Sequence, residues 1–304
     1  MRIALACLLL VAPLSGCAAL GLSDDDNGGG VRVAASFYPL AYVAERVSGG
    51  DVELLTTPGA EPHDFELTIK ETALVADADL VVYERGFQPA IDAAVDETAE
   101  GEVLDAAEVV GLEPADEHAD EHAEEEGHDH EHDGGVDPHF WLDPLRVADL
   151  GDAVAEQLAQ LDAGHADAYR ANAAHLRSEL ERLDREYAEG LADCERHTVV
   201  VSHDAFGYLE KYGLHFDAIA GLSPDAEPTP AHLAELQGIA QEDGVTTVFT
   251  ETLGSSKLAD TLADDLGLST ATLDPIEGVD ADSPEDYLSL MRTNLANLQA
   301  ANGC

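Results

Sequence analysis

The chain has 304 residues, 45% of them hydrophobic, and its 63 acidic against 14 basic side chains give a formal net charge of −49 at pH 7. This length suits two domains of ordinary size or one large one. The charge argues against nucleic acid as a partner, because phosphate binding needs a basic surface. Since the acidic residues run through the whole chain, we interpret them as adaptation of the surface to high salt. The alternative is an ordinary acidic extracytoplasmic protein.

The N-terminal segment predicts an exported, anchored protein. Arg2 precedes an apolar run at 3–14, which is too short to span a bilayer and is typical of a signal peptide. The residues Leu14-Ser15-Gly16-Cys17 resemble the lipobox of bacterial lipoproteins, which implies cleavage before Cys17 and a lipid on its sulfur. We therefore predict a signal peptide at 1–16 and a lipidated, flexible tether at 17–30.

Two cysteines remain once the signal peptide and the lipidated residue are set aside. They are Cys194 and Cys304, the last residue of the sequence. An oxidising compartment favours a disulfide between them, and the alternative is two unpaired thiols.

Short apolar runs alternate with helical patterns in the first half of the chain. We predict strands at 31–35, 52–56, 80–83 and 102–105, and helices at 37–47, 66–76 and 87–95. This alternation is typical of a parallel sheet covered by helices, so we predict an N-terminal α/β lobe over 31–143.

A tract rich in histidine and acid interrupts this lobe at 113–135. It contains His118, His122, His128, His130 and His132 and has no apolar periodicity, which predicts a disordered loop. Our hypothesis is that the tract collects a metal for a better-built site elsewhere. The alternative is a solvated charged loop that does little.

Two helices without intervening strands follow. The first is predicted at 145–161, with Asp143 as N-cap and Pro144 at the first position. The second, at 165–192, has an apolar stripe at three- and four-residue steps: Tyr169, Ala173, Leu176, Leu180, Leu183 and Tyr187. It would extend about 42 Å, enough to cross two domains. We assign 144–193 to these connecting helices.

The α/β alternation then resumes, which predicts a C-terminal lobe over 194–304. The predicted strands are 198–202, 215–220, 246–250 and 269–273, and the predicted helices are 204–212, 230–242, 255–266 and 284–302. The fold class is therefore α/β, with two (β/α) lobes that have parallel sheets and are joined by a long rigid helix.

Four residues are candidate metal ligands: His63, His139, His203 and Asp274. His63 lies in the loop after the strand at 52–56, and His203 and Asp274 directly follow the strands at 198–202 and 269–273. Ligand sites in parallel sheets form outside the carboxyl ends of the strands, so we expect these side chains to meet in the cleft between the lobes. Three imidazoles and a carboxylate suit tetrahedral Zn²⁺. Four protein ligands leave no open position for a substrate, which favours carriage over hydrolysis.

Glu251 is a fifth carboxylate at a strand end. It can ligate the metal or accept a hydrogen bond from a ligating imidazole, and we favour the second role.

Six segments, in order, resemble the solute-binding lipoproteins of zinc and manganese ABC transporters: SFYPLAYVAERVSGG, PGAEPHDFEL, DPHFWLDP, SHDAFGYLEKYGL, FTETL and LDPIEG. The resemblance implies His63, His139, His203 and Asp274 as ligands, two lobes joined by a rigid helix, and delivery of the metal to a membrane permease driven by an ATPase. Manganese members of the family carry Glu where His203 stands. The imidazole nitrogen that His203 offers in place of this carboxylate favours zinc, and so does the histidine tract at 113–135.

Three other interpretations stay open at this stage. One is the same role for Mn(II) or Fe(II), and another is a stand-alone zinc buffer or adhesin. The third is a zinc hydrolase, which the sequence supports poorly because it has no HExxH motif. We expect a monomer that is not an enzyme.

Overall fold

The structure of the protein is a computed structural model, which describes residues 30–115 and 135–304. The predictions for the signal peptide, for Cys17 and the tether before residue 30, and for the histidine tract at 116–134 lie outside the described residues.

A four-stranded parallel sheet forms the centre of the N-terminal lobe, with strand order β2-β1-β3-β4. Its strands are β1 (Val33–Ala35), β2 (Glu53–Leu54), β3 (Leu80–Tyr83) and β4 (Glu102–Asp105). Its helices are α1 (Tyr38–Ser48), α2 (Ile69–Asp77), α3 (Pro89–Thr98) and α4 (Ala106–Val110). All four residues of β3 are buried, as expected for a strand covered on both faces.

Helix α2 begins later than the sequence predicts because a capping box fixes its start. The Thr68 side chain accepts a hydrogen bond from the helix backbone, and the Glu71 carboxylate accepts one from Thr68 N at 2.9 Å.

The histidine tract leaves the N-terminal lobe through a short antiparallel pair. Strand β5 (Glu113–Pro114) pairs with β6 (Val136–Asp137), so Glu113 lies opposite Asp137. The sequence predicts Glu113 and Pro114 in a loop, whereas in the structure they form a strand that pairs with β6. The two ends of the tract are therefore held next to each other.

Two long helices connect the lobes: α5 (Pro144–Leu161) and α6 (Ala166–Gly190). Asp143 caps α5 by accepting a hydrogen bond from Leu145 N at 2.9 Å. The buried residues of α6 are the six of the predicted stripe. At 25 residues the helix extends about 38 Å. It contacts both lobes, since Asn172 donates to Val47 O at 3.0 Å and Tyr187 donates to Met291 O at 2.6 Å.

The C-terminal lobe repeats the parallel arrangement, with strand order β10-β9-β7-β8. Its strands are β7 (Thr198–His203), β8 (His215–Ala220), β9 (Thr247–Thr250) and β10 (Ser269–Thr272). Its helices are α7 (Pro230–Glu242), α8 (Lys257–Leu266) and α9 (Tyr287–Asn302).

The helix predicted at 204–212 is shorter than expected and of a different type. This segment forms a 3-10 helix over Gly207–Tyr212. Gly207 is a poor helix former, and Gly213, with φ 88°, ends the segment before α-helical turns can accumulate.

The described chain from Val31 to Cys304 is one compact unit, and the predicted fold class is confirmed. The predicted disulfide between Cys194 and Cys304 is also present and attaches the end of α9 to the segment before β7. Among the helices in the described part of the chain, none has both the length and the apolar character needed to cross a bilayer.

Candidate metal centre

Three histidines from distant parts of the sequence bring their imidazoles together. His63 lies in the loop between β2 and α2, His139 lies between β6 and a 3-10 turn at Phe140–Leu142, and His203 is the last residue of β7. Their ring centroids are 5.3–5.8 Å apart. His139 and His203 are fully buried, whereas the His63 side chain is 11% exposed and forms the solvent side of the cluster.

The carboxylate that faces these imidazoles belongs to Glu277. Its Oε1 atom lies 3.1 Å from His63 Nε2, 3.4 Å from His139 Nε2 and 3.3 Å from His203 Nε2. One potential ligand atom from each of the four residues lies within 4.8 Å of all the others. This is the only such group of histidine, cysteine or acidic side chains among the residues that the structure describes.

The structure differs here from the sequence expectation for Asp274. This residue does follow β10, but it is not part of the group. Its Oδ1 accepts a hydrogen bond from Ile276 N at 2.8 Å, and its Oδ2 accepts one from Thr252 Oγ1 at 3.0 Å. The acidic candidate is Glu277, three residues further on, because its carboxylate and not that of Asp274 groups with the three imidazoles.

Carboxylates behind the cluster orient two of the three imidazoles. His139 Nδ1 donates to Asp137 Oδ1 at 2.7 Å, and His203 Nδ1 donates to Glu251 Oε1 at 2.7 Å. Each carboxylate also accepts from the backbone N–H of the same histidine. These bonds fix the tautomer, so that both Nε2 atoms point at Glu277. Glu251 thus has the orienting geometry that the sequence favours.

Gly207 leaves space for one of these orienting carboxylates. A Cβ atom at this position would lie 3.0 Å from Asp137 Oδ2, closer than ordinary contact. A side chain at position 207 would therefore press on the carboxylate that holds His139.

The electrostatics of the cluster couple its acids and bases. Burial alone would raise the pKa of Glu277, but its contacts with His139, His203 and His63 outweigh burial and hold that pKa well below its usual range. Burial alone would lower the pKa of His203, but Glu251 and Glu277 raise it to about 10. The pKa of His139 is raised in the same way by Asp137 and Glu277. Imidazoles must be neutral to ligate, so an incoming cation has to displace protons.

The donor set fits a tetrahedral divalent cation. The Nε2 atoms of His139 and His203 are buried, and within the described residues they face Glu277 Oε1 at 3.4 and 3.3 Å without forming a hydrogen bond of good geometry. Buried nitrogens of this kind are costly unless something binds them. A cation surrounded by three nitrogens and one carboxylate oxygen would satisfy both atoms and offset the charge of Glu277.

Sequence reasoning missed Glu277 because it took the first carboxylate after the strand. The signal that could have found it is the adjacent glycine in LDPIEG. A Cβ atom at Gly278 would lie 3.1 Å from Ala60 O, in the loop that precedes His63. A side chain at position 278 would therefore press on that loop, so glycine favours the close approach of the segment that carries Glu277.

The fold has two α/β lobes, each with a parallel sheet, and helices that connect them. Together with the buried cluster of three imidazoles and a carboxylate, it defines a two-lobed metal-binding protein. The chain belongs to the family described as zinc-uptake complex component A, periplasmic, whose profile matches residues 33–301. The sequence resemblance to solute-binding proteins of zinc transporters is thereby confirmed.

Individual relatives agree with this assignment. The chain is 35% identical over 301 residues to the high-affinity zinc uptake system protein ZnuA of Bacillus subtilis, covering 97% of this chain and 94% of that protein. It is 34% identical over 302 residues to the zinc-binding lipoprotein AdcA of Streptococcus pneumoniae, covering 96% of this chain but only 60% of AdcA. A Zn(II)-bound mutant variant of AdcAII from Streptococcus pneumoniae superposes with a TM-score of 0.78 and 29% identity, covering 90% of this chain and 99% of that one.

Proposed function

We propose that this protein is the extracytoplasmic binding component of a zinc ABC importer. It captures one Zn(II) through His63, His139, His203 and Glu277. The observation that carries the proposal is the convergence of the three Nε2 atoms on Glu277 Oε1 at 3.1–3.4 Å. Four protein ligands close a tetrahedral ion, so the site suits carriage and lacks the open position that a zinc hydrolase needs.

Competition titration with a chromogenic zinc chelator tests the binding step. We expect one tight zinc per metal-free chain. We expect His139→Ala to weaken binding by more than the roughly 10- to 100-fold typical of losing a partner behind a ligand. His175→Ala is the matched control, because His175 is exposed on α6. Equal affinity in the His139→Ala variant and the control would contradict the assignment.

The identity of the cargo is tested by titrating zinc against manganese in the same assay. Three imidazole nitrogens favour zinc, since harder manganese prefers oxygen ligands. We expect zinc to displace manganese, and tighter manganese binding would favour the alternative cargo.

Delivery requires a permease and its ATPase as partners. We expect a strain that lacks this protein to grow poorly at limiting zinc, and the wild-type gene but not the His139→Ala variant to restore growth. A stand-alone zinc buffer or adhesin predicts no growth defect under these conditions.

We infer that the mature protein is held to the outer face of a membrane by lipid on Cys17. The lipobox-like residues 14–17 support this, as does the similarity to a relative named as a lipoprotein. Metabolic labelling with a fatty acid tests it. We expect label on the wild type and none on Cys17→Ser.

The histidine tract has a role that follows from this function. We propose that it binds zinc weakly and passes it to the cleft. The β5–β6 pair supports this, because β6 ends two residues before His139. Deleting residues 117–132 should reduce uptake at limiting zinc and leave the tight site intact. Unchanged uptake would favour a solvated loop without a role in capture.

A further inference from the structure

The turn that precedes Glu277 contains an unusual backbone conformation. Ile276 has φ 60°, and it is the only residue other than glycine with positive φ in the described part of the chain. The left-handed region is disfavoured for L-residues, most of all for β-branched ones. Ile276 is fully buried, so its side chain is packed against other residues in this conformation. Something must hold this conformation against its tendency to relax.

The side chain of Asp274 supplies that hold. Its Oδ1 accepts from Ile276 N at 2.8 Å, which closes the turn, and its Oδ2 accepts from Thr252 Oγ1 at 3.0 Å. Asn294 on α9 fixes the backbone of the same residue, because its Oδ1 accepts from Asp274 N at 2.9 Å and its Nδ2 donates to Asp274 O at 2.6 Å.

A residue from the first part of the chain completes the support. Trp141, which is fully buried two residues after His139, donates from Nε1 to Pro275 O at 2.7 Å. Its own carbonyl accepts from Tyr287 Oη at 2.6 Å. The turn is therefore tied both to α9 and to the segment that carries His139.

The consequence of the turn is the direction of the next side chain. Glu277 follows Ile276 directly, and its Oε1 lies 3.1–3.4 Å from three imidazole nitrogens. A relaxation of Ile276 to negative φ would rotate the chain at this point and carry the carboxylate away from them. The geometry of the ligand therefore depends on a residue that is not itself in the cluster.

We propose that Asp274 is a positioning residue: its carboxylate holds the left-handed turn at Ile276 and thereby aims Glu277 at the metal. This inference rests on the proposed function, since it concerns the same zinc site. It assigns Asp274 a purpose other than ligation, and it predicts that Asp274 acts on zinc only through Glu277.

A double-mutant cycle on the mature chain tests this dependence. Zinc affinity is measured by chelator competition for wild type, Asp274→Ala, Glu277→Ala and the double variant. We expect Asp274→Ala to weaken zinc binding by about 10- to 100-fold in the wild-type background. In the Glu277→Ala background we expect little further loss. Asp274→Asn retains an acceptor for Ile276 N and should bind nearly as tightly as wild type.

Other results overturn the proposal. An equal loss in both backgrounds would mean that Asp274 ligates zinc or supports the lobe as a whole. Unchanged affinity of Asp274→Ala would mean that the turn holds without it. Failure of wild type to bind zinc would instead refute the proposed function.

Two further variants keep the test decisive if Asp274→Ala does not fold. Thr252→Val removes only the hydroxyl that donates to Asp274, and Thr252 is exposed, so the variant should fold. We expect a smaller loss of affinity that disappears in the Glu277→Ala background, and a loss that persists there would contradict the proposal. Asp243→Ala is the matched control, because the Asp243 carboxylate also accepts a hydrogen bond from a threonine hydroxyl, that of Thr198. Thr198 begins β7, at the opposite end of the strand from His203, so this variant should leave zinc affinity unchanged.

Discussion

His203 shows how a single side chain is prepared to bind a metal. It ends a buried strand, and Glu251 accepts hydrogen bonds from both its backbone N–H, at 3.1 Å, and its Nδ1, at 2.7 Å. The remaining nitrogen, Nε2, can point only toward Glu277, at 3.3 Å. The same arrangement recurs at His139 with Asp137. Because the rings are fixed before the metal arrives, little conformational entropy is lost on binding.

Glu84 is a buried carboxylate that the metal site does not use. Neither of its oxygens has a hydrogen-bond partner among the described residues. Burial, followed by the charges of Asp137, Asp105 and Asp92, raises the pKa of Glu84 well above its usual value. A raised pKa in the folded state stabilises the protein below the unfolded pKa, and this contribution is lost as pH rises through the folded pKa.

We therefore predict that Glu84→Gln stabilises the metal-free protein more at high pH than at low pH. Each pH unit between the unfolded and folded pKa values changes the folding free energy by about 1.4 kcal/mol, so the gain should grow as pH rises from about 5 to about 8. Urea unfolding at both pH values measures it. Glu97→Gln, on an exposed residue of α3, is the control and should show no such growth. A gain independent of pH would contradict the prediction.

The acidic member of the cluster shows where residue-level prediction stops. The strand-end rule directs attention to the segment after β10, and the three histidines that the structure brings together could be chosen from residue type and position. The choice between Asp274 and Glu277 depends on the backbone of Ile276, whose φ of 60° is unexpected for a β-branched residue. No propensity predicts a conformation that other side chains impose.

Among the helices, α6 is the one that the sequence describes most fully. Its apolar stripe could be predicted residue by residue because a helix buried along one face repeats every three or four positions. The type of the helix at Gly207–Tyr212 could not be predicted, because six residues are too few to distinguish a 3-10 helix from an α-helix by periodicity. The β5–β6 pair was missed since each strand has only two residues and β5 lies within the charged tract.

The disulfide between Cys194 and Cys304 joins residues 110 positions apart in sequence. We predict that Cys304→Ser lowers the free energy of unfolding by about 2–4 kcal/mol, because the bond restricts a long loop in the unfolded chain. Urea denaturation of the metal-free protein measures the loss. Reductant should destabilise wild type to the same level and leave Cys304→Ser unchanged. Equal stability of the two proteins under oxidising conditions would contradict the prediction.

At the scale of the whole molecule, the formal charge of −49 sets the conditions under which the fold is stable. Self-repulsion of this size destabilises a compact state unless salt screens it. We predict that the midpoint of thermal unfolding rises as NaCl increases from about 0.1 M to about 2 M, and that choline chloride acts similarly because screening depends on ionic strength. A midpoint that falls or stays constant would contradict adaptation to high salt.

The two lobes, the connecting helix and the cluster together support one proposed mechanism, in which a cation is enclosed by side chains from both lobes. The most direct test is anomalous diffraction at the zinc edge from crystals of the zinc-loaded mature chain. We predict one strong peak bonded to the Nε2 atoms of His63, His139 and His203, at about 2.0–2.1 Å, and to the carboxylate of Glu277. A peak bonded to Asp274 instead of Glu277, or density only at the histidine tract, would contradict it.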